Sequence, residues 1–291
     1  MLVKPIAFDS LGVRSMATFV ETKNVSLLID PAAALAPKRY GLSPHAVEWL
    51  RLDESWASIK KYAEYADILV LTHYHYDHHS PNYPEIFKNK VLIIKDPAEN
   101  INPSQRWRAA YFLQSIQGLP KEIKQADGKT FSIKGTTLSF SQAVSHGVDT
   151  KLGYVVELSV RCGGEIMHFS SDVQGPATKE HTETILDNTP HTLIVDGPPT
   201  YLLGSSFADD ALSCAIQNLL NITKTLSKKG LGTIILDHHL LRDLGYKEKM
   251  HAVYEAGEEC GVKVLCAAEY LGKPVDMLEA RRRELYTSNK M

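Results

Sequence analysis

Short bursts of apolar residues, rather than long runs, set the rhythm of this chain. Residues 17–21 and 25–29 read as two strands joined by a turn at Thr22-Lys23-Asn24. After Asp53, a candidate helix cap, Trp56, Ile59, Tyr62, Ala63 and Ala66 recur at three-and-four spacing and predict a helix. The stretch 67–72, Asp-Ile-Leu-Val-Leu-Thr, lacks polar alternation, the pattern of a strand buried on both faces. Residues 91–94 repeat it. Beyond Pro103 a helix is predicted over 104–117, amphipathic, with Trp107 and Tyr111 buried and its arginines in solvent.

From 130 to 169 strands dominate, at 131–133, 138–144, 154–160 and 166–169, the last pair turning through Gly163-Gly164. Alternation then returns: a strand at 192–195, a helix over 209–226, a strand at 233–236, a helix over 247–260 and a strand at 262–266. Two strand-rich halves with helices between them predict an α/β chain, its two sheets face to face and its helices outside. No repeat, low-complexity segment or flexible linker interrupts the pattern, so residues 1–291 are expected to form one domain. The run Arg281-Arg282-Arg283 reads as a solvated helix end.

Composition narrows the function. With 44% hydrophobic and 23% charged residues, a chain of 291 residues can bury a core without disulfides or structural metal. A metal bound here would therefore serve chemistry. A formal net charge of -2 gives no global basic field for bulk nucleic-acid binding. The four cysteines, Cys162, Cys214, Cys260 and Cys266, have no disulfide-framework spacing and are expected as reduced thiols. The N-terminus lacks the apolar run of an export signal and no stretch reaches transmembrane length, so the expectation is a soluble cytoplasmic protein without a membrane partner.

The informative segment is Leu71-Thr72-His73-Tyr74-His75-Tyr76-Asp77-His78-His79. It directly follows a predicted buried strand, and its closely spaced imidazoles and carboxylate can converge on one point. Neutral imidazoles suit zinc, and a carboxylate adds a harder oxygen ligand. A packed or solvated role explains a single histidine but not this cluster. The remaining histidines, His45, His168, His181, His191 and His251, read as ordinary surface, strand or capping residues.

This segment resembles the signature of the metallo-β-lactamase superfamily, His-x-His-x-Asp-His after a strand, matched in full by His73, His75, Asp77 and His78. Weaker landmarks follow in the family's order along most of the chain. Asp30, in Leu28-Ile29-Asp30-Pro31, matches an aspartate that supports the ligand loop. His146 in Ser145-His146-Gly147, Asp172 in Ser170-Ser171-Asp172 and His238 in Leu236-Asp237-His238-His239 match the later ligands. Each lies just past the carboxyl end of a predicted strand, where α/β architectures gather their sites.

The resemblance implies a four-layer αββα fold, two mixed sheets packed face to face with helices outside. It implies two divalent metal ions, zinc first, with manganese or ferrous iron as alternatives. His73, His75 and His146 would hold one ion, Asp77, His78 and His238 the other, and Asp172 would bridge them. His239 stays an alternative to His238; otherwise it and His79 stand behind the ligands or at the entrance. The expected activity is hydrolysis by a metal-bridging hydroxide, with Asp77 and Asp172 as the catalytic carboxylates.

Substrate is less determined, because lactonases, thioesterases, phosphodiesterases and nucleases share these ligands. The chain also resembles an archaeal hydrolase group within the superfamily, from which no substrate follows. Arg106 and Arg108 flank Trp107 and are candidates for gripping a phosphate, while Asp196, at a strand end before Gly197-Pro198-Pro199, is a candidate pocket residue or proton donor. The leading expectation is an anionic phosphoester or phosphodiester, as a small molecule or a nucleic-acid end. A lactone or thioester is the alternative substrate, and a metal-dependent sensor without turnover the nonenzymatic one.

Overall fold

The computed structural model describes residues 1–288. One sheet is built by β1 (Leu2–Phe8), β2 (Met16–Glu21), β3 (Ser26–Ile29), β4 (Ile68–Leu71), β5 (Val91–Ile94) and β6 (Glu122–Gln125), neighbours in that order. Pairing is antiparallel from β1 to β3 and parallel from β3 to β6. The parallel part exists because α1 (Ala46–Tyr65) returns the chain from β3 to β4 and α2 (Pro103–Ser115) returns it from β5 to β6.

The second half begins with the hairpin β7 (Thr130–Ile133) and β8 (Thr136–Phe140), then a small ribbon of β9 (Val144–Ser145) and β10 (Tyr154–Val155). β11 (Leu158–Cys162), β12 (Glu165–Phe169), β13 (Thr192–Asp196), β14 (Thr233–Asp237) and β15 (Lys263–Leu265) follow. The resulting sheet runs β15-β14-β13-β12-β11-β8-β7, parallel from β12 to β15 and antiparallel elsewhere. Its crossovers are α3 (Lys179–Asn188), α4 (Asp209–Ser227) and the pair α5 (Tyr246–Lys249) and α6 (His251–Cys260). Two short helices, α7 (Ala267–Tyr270) and α8 (Arg282–Ser288), finish the described chain.

The period of two explains the layering. In β3, β4 and β5, Leu27, Ile29, Ile68, Val70 and Ile93 enter one core with Leu138, Leu158, Val160, Met167 and Phe169 of the other sheet. The alternate residues Leu28, Leu69, Leu71, Leu92 and Ile94 pack outward on Trp56, Ile59 and Ala63 of α1 and Ala109 and Phe112 of α2. This is the expected arrangement of two mixed sheets with helices outside. No helix of the described residues is long and apolar enough to cross a membrane, and the four cysteines are free.

Several local expectations are corrected. Helix α1 starts seven residues before Asp53: His45 caps it, its Nδ1 accepting from the Val47 amide at 3.3 Å, while Glu48 accepts from the His45 amide at 2.8 Å. Trp49 and Leu50 of its early turns are exposed, so no apolar stripe marks that part. Strand β1 lies outside the expected strands; it carries Pro5 in an apolar stretch and, as an edge strand, tolerates the missing donor. Helix α3 is largely polar and is capped by Thr178. Helix α2 buries Gln105, Ala109 and Phe112, not Trp107 and Tyr111, which are 64% and 48% exposed and stack 5.8 Å apart. Arg282 is fully buried rather than solvated. His181 is also buried and donates from Nε2 to the Ser145 carbonyl at 2.8 Å. His168 does take the expected place in the interior of a strand, contacting Glu157 and Ser159 at 2.8 and 2.7 Å.

Candidate metal centre

The strand ends of both sheets meet at one point. Strand β4 delivers Thr72 and the histidine-rich loop, and Asp30 at the end of β3 fixes that loop from behind. Asp30 sits in the left-handed region at φ 48, and its carboxylate accepts from the Thr72 amide at 2.8 Å and the Thr72 hydroxyl at 2.6 Å. It also accepts from Nδ1 of His78 at 2.8 Å, so the other nitrogen of that ring faces the centre. Orienting a ring through its far nitrogen is how neighbouring carboxylates prepare metal-binding histidines.

Asp172, after β12, is the hub. Its Oδ2 lies 2.8 Å from His146 Nε2, 3.6 Å from both His73 Nε2 and His78 Nε2, 3.7 Å from His238 Nε2 and 4.0 Å from His75 Nδ1. Two ligand sets share this corner: His73, His75, His146 and Asp172 form one, and Asp77, His78 and His238 the other. Asp172, Asp196, His238 and His239 make a further group, but only His238 of the two neighbouring histidines joins Asp77 and His78. Among the described residues no ligand group includes His79, whose Nδ1 donates to the His75 carbonyl at 2.9 Å while its ring lies edge-on to Phe112.

His238 is held by machinery absent from the sequence expectations. It occupies the left-handed region at φ 61 directly after β14, where Asp237 accepts from its amide at 2.6 Å. Its Nδ1 donates to Asp9 at 2.8 Å, and Arg242 Nε donates to the other oxygen of Asp9 at 2.8 Å. Replacing Asp9 by Asn should keep the shape but remove the charge that orients His238. Metal affinity at that side is expected to fall about 10–100-fold, as read by chelator competition on the purified variant.

His239 points differently. Its Nδ1 lies 3.0 Å from Asp196 Oδ2 and 3.0 Å from Asp172 Oδ1. Asp196 also accepts from the backbone amides of His239 and Gln174, at 3.0 and 2.6 Å, so it is firmly placed. Burial and Arg242 oppose a proton on His239, but Asp172 and Asp196 outweigh them and hold its pKa up at about 9. The two candidate arginines make contacts of their own. Arg106 donates to the Ala98 carbonyl at 2.9 Å, and Arg108 lies over the ring of Tyr76 at 5.0 Å, beside the motif loop.

The donor set fits metal ions. Buried Nε2 atoms of His73, His78 and His146 and Oδ1 of Asp172 have no hydrogen-bond partner, an arrangement proteins otherwise avoid. The His146–Asp172 approach is close yet lacks hydrogen-bond geometry. Burial and the neighbouring His78 hold His73 well below the ordinary imidazole range, and burial pushes His75 down to about 4. Ligation requires neutral rings, as these two are, whereas burial at His78 and His238 is outweighed by neighbouring carboxylates, which raise both.

No family model matches the chain. Among curated relatives, a UPF0282 protein of Metallosphaera sedula is 47% identical over 293 residues, covering 99% of this chain and 94% of its own. A UPF0282 protein of Korarchaeum cryptofilum is 44% identical over 287 residues, covering 98% and 94%. Solved structures share the architecture at low identity. An isothiocyanate hydrolase from Delia radicum gut bacteria matches with TM-score 0.52 and 15% identity over 88% of this chain and 94% of that one. Unliganded yeast PDE1 gives 0.52 and 12% over 91% and 96%. Zn(2+)-bound PqqB from Methylobacterium extorquens gives 0.51 and 10% over 91% and 98%. The architecture is the metallo-β-lactamase fold.

Proposed function

This chain belongs to the UPF0282 family, and from that premise and its fold we propose that it is a metal-dependent hydrolase with a two-metal centre. The observation that carries the reading is the convergence of five imidazoles on one oxygen of Asp172, with buried ring nitrogens left without hydrogen bonds. His73, His75 and His146 would hold one ion and Asp77, His78 and His238 the other, with Asp172 shared between them. Nitrogen and carboxylate donors favour zinc, with manganese or ferrous iron able to substitute. When bound, such a pair lowers the pKa of water toward ~7 and neutralises charge that develops during attack.

The chain's own groups would do the rest. Asp77 would orient the attacking water as well as ligate. His239, its Nδ1 bonded to Asp196 and close to Asp172, would carry a proton on Nε2 to the departing atom. Asp196 thereby acts as the partner that fixes the ring rather than as the donor.

Of the two substrate chemistries, a carbonyl ester, lactone or thioester is the better supported. Phosphate recognition calls for free cations at the centre, whereas the buried Arg242 is paired with Asp9. Arg108 beside Tyr76 is the observation that favours the phosphoester reading. The test is to measure metal content and turnover of the zinc- and manganese-loaded protein on a lactone, a thioester, bis-p-nitrophenyl phosphate and short RNA and DNA. Metal-dependent carbonyl turnover is the expected result. Faster phosphodiester turnover would exchange the two substrate readings, and bound metal with no turnover on any member would assign a sensor.

A further inference from the structure

A cavity of about 790 Å³ opens beside His146. One wall is the segment after β9, with Val148 and Leu152; the other is the segment after β13, with Leu202 and Phe207. Val148 and Leu152 are 49% and 43% exposed, an unusual investment of apolar surface at the mouth of a polar site. The size is that of a pocket for a small organic molecule.

The first wall is anchored. Asn102 and Gln105 of the α2 start donate to the Lys151 and Leu152 carbonyls at 2.9 and 3.1 Å. Gly153 sits at φ 97, with Gln105 side-chain atoms 2.8 Å from where a Cβ would stand, so the loop closes on the helix at a point that only glycine fits. Leu152 is thus held at the cavity by a buried glutamine.

The side-chain charge of the lining disfavours one class of occupant. Lys151 is its cation, and it pairs with Asp149 at 3.0 Å; Asp209 adds a second carboxylate. With two carboxylates against one ammonium, the formal balance is one negative. Apart from the proposed ions, a polyanion would meet only the lysine already beside Asp149, whereas an alkyl or aryl group would cover the exposed leucine and valine.

We propose that this cavity binds an uncharged apolar part of the substrate, an alkyl or aryl acyl group, while the scissile carbonyl lies at the metal centre. The inference rests on the hydrolase reading above and names the substrate class of that same site. It makes Leu152 and Phe207 specificity-determining residues, acting on the ratio between long and short acyl groups.

The experiment compares p-nitrophenyl acetate, butyrate and hexanoate with bis-p-nitrophenyl phosphate on the zinc-loaded full chain. Lengthening from acetate to hexanoate is expected to raise kcat/KM by about tenfold or more, since each buried methylene favours binding. Leu152→Glu should cut that ratio to about threefold or less, whereas Leu50→Glu on the exposed part of α1 should leave it unchanged. A flat chain-length profile, or a phosphodiester rate above the hexanoate rate, overturns the cavity assignment while the hydrolase reading stands. If none of these esters is cleaved, the hydrolase reading is left to the lactone, thioester and nucleic-acid substrates above, and the cavity is judged by binding of the neutral dye N-phenyl-1-naphthylamine. Binding weakened at least about fivefold by Leu152→Glu would retain the apolar pocket, and equal binding by both proteins would remove it.

Discussion

Asp172→Asn protein is expected to emerge with less than one metal ion per chain and turnover reduced about a thousandfold or more, because several kcal/mol of charge stabilisation is lost. The reason is geometric. Oδ2 of Asp172 is the one atom common to His73, His75, His78, His146 and His238, so both proposed ions depend on it. A neutral amide keeps the volume but removes the charge that offsets two divalent ions in a buried site. The same metal measurement separates the adjacent histidines. His238→Gln should lose the ion shared with Asp77 and His78, whereas His239→Gln should keep both ions and lose turnover. Full metal content in Asp172→Asn protein would refute the shared-carboxylate centre, and metal loss in His239→Gln protein would move His239 from proton carrier to ligand.

The parts of this site legible in the sequence are those written locally. An uninterrupted apolar strand followed by His73, His75, Asp77 and His78 carries its own context, and Asp30, His146, Asp172 and His238 also lie at strand ends. Asp9 has no such signal. It follows a proline-interrupted edge strand, and its importance arises only when the fold brings it to His238 and Arg242, 229 and 233 residues away. Helix α2 shows the limits of periodicity. Trp107 and Tyr111 share a face at helical spacing, but Ala109 and Phe112 make an equally regular face, and it is the smaller one that fits beneath β5 and beside His79. The choice between two faces depends on the available space, which no local pattern records. The phosphate reading of Arg106 and Arg108 has the same local basis, and their positions at Ala98 and Tyr76 follow from where the helix turns them.

Arg282→Ala is expected to give the largest loss of stability of any single surface-like substitution, about 3–5 kcal/mol, because it strips one partner from a buried ion pair. Within a basic triplet this arginine looks solvated, yet it is 0% exposed. Its Nε and Nη2 donate to the two oxygens of Glu48 at 2.8 and 2.7 Å, and its remaining bonds go to the carbonyls of Leu42 and Ala36, each at 3.0 Å. Glu48 in turn caps α1 through the His45 amide. The pair therefore ties the end of the described chain to the helix that covers the first sheet. Removing Arg282 leaves the Glu48 carboxylate buried, with two backbone carbonyls also deprived of donors. Thermal unfolding should move down by roughly 6–10 °C, given the ~2 °C per kcal/mol expected for a chain of this size. Arg281→Ala is the control: its pair with Glu284 is half exposed, so a change within about 0.5 kcal/mol is expected. A double Glu48→Gln, Arg282→Met protein should recover part of the loss, since it no longer buries an unpaired charge. Equal melting of Arg281→Ala and Arg282→Ala proteins would show that the ion pair does not fasten the helix.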